Sequence, residues 1–256
     1  MAISIYSLGS GSKGNCVIVA NGKSNIMIDA GLTPRATSQK LNEIGLSIND
    51  IDGILLTHEH NDHVKSLEDL TFHIPLFSNY QTLRAVENRS FVNAKKVIEI
   101  EESTFTLGDY EITPFSISHD AARPFGFILS DGKEKVGYVT DTGYVSKGIM
   151  NKIAGSDIVV IESNHDEELL RRGAYPERLK RRILSDKGHL NNYETALTVN
   201  DLVKGGTKKI MLAHISENNN LSELAYWTTV KCLNKNGINE KDIALKVAMQ
   251  RETVIL

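Results

Sequence analysis

Three histidines and an aspartate fall within six positions of one another, in Thr57-His58-Glu59-His60-Asn61-Asp62-His63. The run directly follows the apolar stretch Gly53–Leu56. Residues two apart in extended chain point to the same side, so His58 and His60 are placed to grip one metal ion. Asp62 and His63 follow where the chain turns and are expected to reach a second ion beside the first. Packing explains such a cluster poorly, because each buried imidazole would need its own hydrogen-bond partner.

Each further candidate ligand ends an apolar, strand-like run: His119 after Ile112–Ile117, Asp141 after Val136–Val139, and His214 after Ile210–Leu212. In layered α/β folds, ligands gather beyond the carboxyl ends of strands, so these distant residues can converge on the cluster. A set made only of imidazole and carboxylate suits Zn, Mn or Fe, with geometry and availability choosing among them. The expectation is therefore two divalent metal ions, about 3.5–4 Å apart if a carboxylate bridges them. Asp141 is the candidate bridge, and Asp62 counts as catalytic as well as a ligand. A hydroxide between the ions is the expected nucleophile. Metal binding lowers a water's pKa to about 7, so no Ser or Cys nucleophile is required.

The elements that must position these residues are short. β-Branched runs dominate the first two thirds of the chain, from Ile3–Tyr6 and Cys16–Val19 to Phe125–Leu129 and Lys135–Val139. Further runs follow at Asp157–Ile161, Lys208–Leu212 and Ile243–Ala248. Asn21-Gly22 and Asp131-Gly132 predict two-residue hairpins. Thr33-Pro34 reads as the N-cap and first residue of a helix that Gly45 would stop. Asn191 with Glu194 resembles a capping box. A helix from Leu221 to about Asn236 would bury Leu224, Trp227, Thr228 and Leu233. Early hairpins, later βα alternation and amphipathic helices predict one α/β domain over 1–256, a sandwich of two packed sheets with helices outside.

Gly9, Gly11 and Gly14 fit the GxGxxG spacing, but Asn-Cys-Val-Ile-Val follows where a dinucleotide site needs a helix. The loop reads as a glycine-rich connection between two early strands, at most the rim of a site. Among 256 residues, a net charge of -3 gives no global drive toward nucleic acid or anionic membrane. Two cysteines, Cys16 and Cys232, lie far apart outside any CxxC, which argues against a disulfide framework and a thiolate metal site. No apolar stretch approaches the ~20 residues of a membrane span, and the N-terminus lacks a signal-peptide pattern. A soluble, cytoplasmic protein is expected. His73, alone in a loop, is assigned no role.

The HEHNDH run, with Asp29 in Ile-Asp-Ala-Gly before it and His119, Asp141 and His214 after it, resembles the five successive motifs of the metallo-β-lactamase superfamily. That resemblance implies an αββα sandwich with two central mixed sheets, and makes Asp29 a structural acid beneath the metal loop. Zinc β-lactamases usually carry Cys where Asp141 stands, so their activity is not expected. The Asp version is similar to tRNase Z, RNase J-type nucleases, glyoxalase II and lactonases. Glu162 and the Gly-His at His189 resemble the pair with which tRNase Z-like enzymes protonate a leaving oxygen. The resemblance thus makes His189 the general acid, oriented by Glu162 and worth roughly 10²–10⁴-fold in rate. The competing reading of His189 is a neighbour of a helix cap, and His165 is left without a role.

The span from Arg171 to Lys187, between Glu162 and His189, carries Arg171, Arg172, Arg178, Lys180, Arg181, Arg182 and Lys187 against only Glu177 and Asp186. They read either as a phosphate track or as a solvated helix face. Gly-Ser-Gly-Ser-Lys-Gly-Asn, Glu-Ser-Asn-His-Asp, Tyr-Pro and Gly-His-Leu look most like the small YycJ (WalJ)-type hydrolases. This resemblance implies a 5′→3′ exonuclease acting on DNA, with a link to replication, repair or cell-wall signalling. The same ligands would serve a glyoxalase II-like thioesterase or a lactonase. The strand-like end Thr253–Leu256 replaces the helical region glyoxalase II normally adds. A non-catalytic, metal-stabilised nucleic-acid-binding module is the third reading, and its expected sign is a lost ligand.

Overall fold

Fourteen short strands make two seven-stranded sheets among the described residues, which are 2–87 and 96–256 of the computed structural model. The first sheet contains β1 (Ser4–Gly9), β2 (Cys16–Ala20), β3 (Asn25–Ile28), β4 (Gly53–Leu55), β5 (Leu76–Ser78) and β6 (Val97–Glu99) in spatial order. The second contains β7 (Phe105–Leu107), β8 (Tyr110–Ser116), β9 (Phe125–Ser130), β10 (Lys135–Val139), β11 (Ile158–Glu162), β12 (Lys209–Ala213) and β13 (Ala244–Val247). The C-terminal β14 (Val254–Ile255) returns to pair with β1 at the edge of the first sheet.

The two sheets repeat one plan. Each starts as an antiparallel meander and continues as parallel strands, the switch falling after β3 in one and after β10 in the other. Alternation along the strands divides the apolar residues between two faces. Ile5, Val17 and Ile28 meet Phe125, Leu129 and Val160 in the layer between the sheets. Their neighbours Leu8, Ile18 and Met27 face outward and pack with Leu41 of α1 (Pro34–Glu43). On the far side, Val139, Ile161 and Leu212 pack with α5 (Lys147–Ile153), α8 (Asn192–Lys204) and α9 (Ser222–Lys235). The result is the expected αββα sandwich. Among the described residues no helix is long and apolar enough to cross a membrane.

Local signals mostly act as read. Thr33 caps α1 through the Ala36 amide, Pro34 is its first residue, and Gly45 follows its end at φ +77°. Asn191 caps α8 through the Glu194 amide at 2.9 Å. The glycine-rich stretch leads from β1 into β2, as expected for a connection and not a dinucleotide loop. A Cβ at Gly14 would lie 2.4 Å from Gly31 O, which is why that position excludes a side chain.

Two expectations need correction. The hairpins close with four residues between their strands, 21–24 and 131–134, instead of two. Asn21 Oδ1 accepts from the Lys23 and Ser24 amides, and Asp131 Oδ1 from those of Lys133 and Glu134. These side chains take amides that would otherwise extend the ladders. The buried face of α9 is also displaced: Ala225, Thr229, Val230 and Leu233 are inside, while Trp227 is 50% exposed. Small residues here let α9 lie close on α8, and the large indole is left on the outer side.

Candidate metal centre

The polar run after β4 remains extended through His60 and then turns into the single-turn helix α2 (Asn61–Val64), which carries Asp62 and His63. His119, Asp141 and His214 leave the ends of β8, β10 and β12 toward the same place. All seven sequence-predicted ligands converge there. His60 Nδ1 lies 3.1 Å from His58 Nε2 and 3.3 Å from His119 Nε2, which defines an all-imidazole group. In a second group, Asp62 Oδ2 lies 3.5 Å from both His63 Nε2 and His214 Nε2. Asp141 stands between them, with Oδ2 3.5 Å from His63 Nε2 and Oδ1 3.8 Å from His119 Nε2.

The outward ring nitrogens are occupied. His58 Nδ1 meets Thr57 Oγ1 at 2.9 Å, His63 Nδ1 the Asp29 carboxylate at 2.7 Å, and His119 Nδ1 the Gly188 carbonyl at 3.0 Å. His214 Nδ1 meets Glu162 Oε1 at 2.8 Å. Contacts of this kind fix each ring's orientation and aim its other nitrogen inward. Asp29 is fully buried and also accepts from the Thr57 amide and hydroxyl, so it is the structural acid that the resemblance implied. Inside the site, Asp141 Oδ2 and His214 Nε2 are buried without a hydrogen-bond partner. Buried polar atoms are rarely left so. Converging imidazoles and carboxylates with orphaned inner atoms fit divalent cations in both groups.

Electrostatics divide the site in the same way. Burial pulls His58 well below its ordinary range, helped by the neighbouring imidazoles, and pulls His119 down to about 4. Burial opposes charge on His63 and His214 too. Asp29, Asp141 and Asp62 around His63, and Asp141, Asp62 and Glu162 around His214, outweigh it and hold both well above the ordinary value. Asp62, despite burial, is held below the carboxylate range by His63 and His214.

Asp29, Asp141 and His214 have φ of +60°, +57° and +55°, and are the only non-glycine residues with positive φ among the described residues. Such backbone costs about 1–3 kcal/mol per residue and persists only where surroundings enforce it. Here the His214 amide donates to Ser10 Oγ at 2.7 Å and the Asp29 amide to Leu55 O at 2.9 Å. No local sequence signal announces these turns.

Glu162 ends β11, fully buried, with four partners. Oε1 accepts from His189 Nδ1 at 2.7 Å as well as from His214, and Oε2 accepts the Thr142 and Leu190 amides at 3.0 and 3.1 Å. Burial works against its charge, but His189 and His214 keep its pKa below the usual range. The sequence paired Glu162 with His189 and missed His214. Ser10 and Asn15, which also touch the candidate ligands, entered the sequence reading only within the Gly9–Asn15 run that carries the resemblance, and Thr57 was given no role. His189 lines a cleft of about 190 Å³ together with His60, Asp62, His119, Asp141 and His214.

The basic segment separates by environment. On α6 (Glu167–Arg172), Arg171 and Arg172 pair with Glu167 and Glu168 one turn back, the solvated-face arrangement. On α7 (Glu177–Ile183), Lys180 is buried and donates to Arg171 O while pairing with Glu177, so its ammonium is a structural tie instead of a surface contact. Arg182 reaches the cleft and is held by Asp120, while Arg178, Arg181 and Lys187 are exposed. His165 is buried beside Asn191, with burial lowering its pKa to about 4, and His73 is exposed outside the cleft.

The fold and ligand arrangement define a class, and the chain belongs to it: residues 24–215 match the beta-lactamase superfamily domain. The chain is 40% identical over 241 residues to exodeoxyribonuclease YycJ of Bacillus anthracis, covering 93% of this chain and 91% of that protein. It is 40% identical over 234 residues to exodeoxyribonuclease WalJ of Streptococcus pneumoniae (serotype 2, strain D39), covering 88% and 86%. Among solved structures, the metallo-β-lactamase fold protein YhfI from Bacillus subtilis aligns with a TM-score of 0.74 over 99% of both chains. Its identity is 14%, so that match bears on the fold alone.

Proposed function

We propose that this chain is a cytoplasmic, metal-dependent phosphodiesterase that degrades DNA from a 5′ end. The observation that carries the reading is a cluster of seven candidate ligands, five of them lining one cleft beside a Glu162–His189 pair, in a chain 40% identical along most of its length to named exodeoxyribonucleases. His58, His60 and His119 would hold one divalent ion, Mn or Zn, and Asp62, His63 and His214 the other, with Asp141 shared. Bound there, such ions supply Lewis-acid polarisation of a phosphoryl group and an acidified water.

The protein's own groups do the rest. Glu162 accepts from His189 Nδ1, which leaves His189 Nε2 free to give a proton to the leaving oxygen. The two amides on Glu162 Oε2 fix that carboxylate, and His189 and His214 favour its ionised form. Arg182, which lines the cleft, and the exposed Arg178, Arg181 and Lys187 would be the members of the basic segment that meet phosphates.

Duplex DNA labelled at either end, with Mn- or Zn-loaded protein, tests this. Only the 5′ label should be released early, and Asp141→Ala should release neither. Binding should weaken with salt, and Arg178→Gln or Arg181→Gln should each flatten the log–log slope by about 0.9. Intact nucleic acid alongside hydrolysis of a thioester or lactone would replace this reading with the glyoxalase II-like or lactonase one.

A further inference from the structure

The glycine-rich stretch Gly9–Asn15 remains unexplained by the dinucleotide motif it mimics. It is not a mere linker. Ser10 and Asn15 are each 3% exposed, and both touch metal ligands. Ser10 Oγ accepts from the His214 amide at 2.7 Å, which secures one of the three positive-φ turns. Asn15 binds the α2 turn from both main chain and side chain: its amide N–H donates to Asp62 O at 2.8 Å, and its Nδ2 donates to Asp62 Oδ2 at 3.1 Å. The same Nδ2 lies 3.1 Å from His63 Nε2.

The carboxamide has one workable orientation. Its Oδ1 accepts from the Gly11 amide at 2.8 Å, so the acceptor end is fixed by the loop itself and the donor end must face Asp62. The loop is clamped in turn by Gln250, which accepts from the Lys13 amide at 2.9 Å and donates to Gly14 O at 3.1 Å. Gly11 does not accept a side chain without strain, because its φ is +139° and a Cβ would lie 2.9 Å from the Ile215 carbonyl oxygen.

The contacts are selective. Asp62, His63 and His214 form one candidate metal group, and the loop touches all three. The group of His58, His60 and His119 is oriented by Thr57, which also lies 3.4 Å from His63 Nδ1, and by the Gly188 carbonyl. We propose that the Gly9–Asn15 loop is the supporting shell of the Asp62–His63–His214 metal site alone, with Asn15 the positioning residue for the Asp62 carboxylate. The two groups share Asp141 and the His58–His63 run, but this loop supports only one of them, so their affinities are separable by mutation. This inference rests on the two-ion reading of the centre but not on the nuclease reading.

The test is metal titration of the full-length, metal-free protein with Mn or Zn against a chromophoric chelator, comparing wild type, Asn15→Leu and Ser10→Ala. Circular dichroism of each metal-free variant checks that it is folded. Wild type should show two binding steps. In both variants one step should weaken by roughly 10–100-fold, as for lost outer hydrogen bonds to ligands, while the other keeps its affinity. Equal weakening of both steps, or unchanged affinities in folded variants, would overturn the proposal. Should Asn15→Leu not fold, Ser10→Ala, which removes only a hydroxyl, decides alone. A single step in wild type would instead defeat the two-ion reading itself.

Discussion

Asp29 and Asp141 occupy corresponding places in the two halves of the molecule. Each follows the last antiparallel strand of its sheet, β3 or β10, just where parallel pairing begins, and each is at most 2% exposed with φ near +60°. Their surroundings differ. Asp29 is saturated, with donors from the Thr57 amide, the Thr57 hydroxyl and His63 Nδ1. Asp141 keeps one buried carboxylate oxygen without any donor. The same backbone device therefore supplies a structural brace on one side and a candidate ligand on the other, and partner inventory separates the two roles where position in the fold does not.

The largest expected effects come from exchanging each acid for its amide. Asp141→Asn should lower turnover by more than ~100-fold, beyond what lost support of a ligand does, because a ligand itself is changed. Its metal-free melting temperature should stay within a few degrees of wild type. Asp29→Asn should instead destabilise the metal-free fold by about 3 kcal/mol, since it breaks a buried charged network. Thermal melts of the two metal-free variants measure the difference, and equal destabilisation would erase the distinction drawn here.

A smaller effect concerns the second acid–histidine pair, Glu162–His189. His189→Ala should slow cleavage by roughly 10²–10⁴-fold on a poor leaving group, with metal content unchanged. On a nitrophenyl ester, whose leaving group departs unprotonated, most of that loss should vanish. Equal losses on both substrates would remove His189 from the role of acid.

The smallest effect is in pH. His63 and His214 have raised pKa values in the metal-free site, so they hold protons that an incoming ion must expel. Protons compete below those pKa values, and metal affinity should therefore rise with pH, by up to roughly tenfold per unit for each proton released. Calorimetry in buffers of different ionisation enthalpy counts those protons. Affinity that falls from pH 6 to pH 8 would contradict the charge state assigned to this half of the site.

Legibility in the sequence followed contiguity. The convergence of HEHNDH was readable because four candidate ligands lie in six positions, and that of His119, Asp141 and His214 because each follows an apolar strand. Most strands of both sheets, though not β5 and β7, and the caps of α1 and α8 were likewise written in local patterns. What failed depended on distant packing. Asn15 meets Asp62 across 47 positions, and Ser10 meets the His214 amide across 204. Trp227 was assigned inward because α9 is mildly apolar all round, and only its approach to α8 selects Ala225 and Thr229. Lys180 joined a charge run in the sequence, yet folding turns its ammonium onto the Arg171 carbonyl.

The central claim is that Asp141 joins two metal groups into one centre. Metal-free protein reconstituted with excess Zn or Mn, freed of loosely bound metal by gel filtration and analysed by elemental mass spectrometry, tests it most directly. Two ions per chain are expected for wild type, and fewer than two for Asp141→Asn. One ion or none in reconstituted wild type, or two still tightly held by Asp141→Asn, would contradict the account.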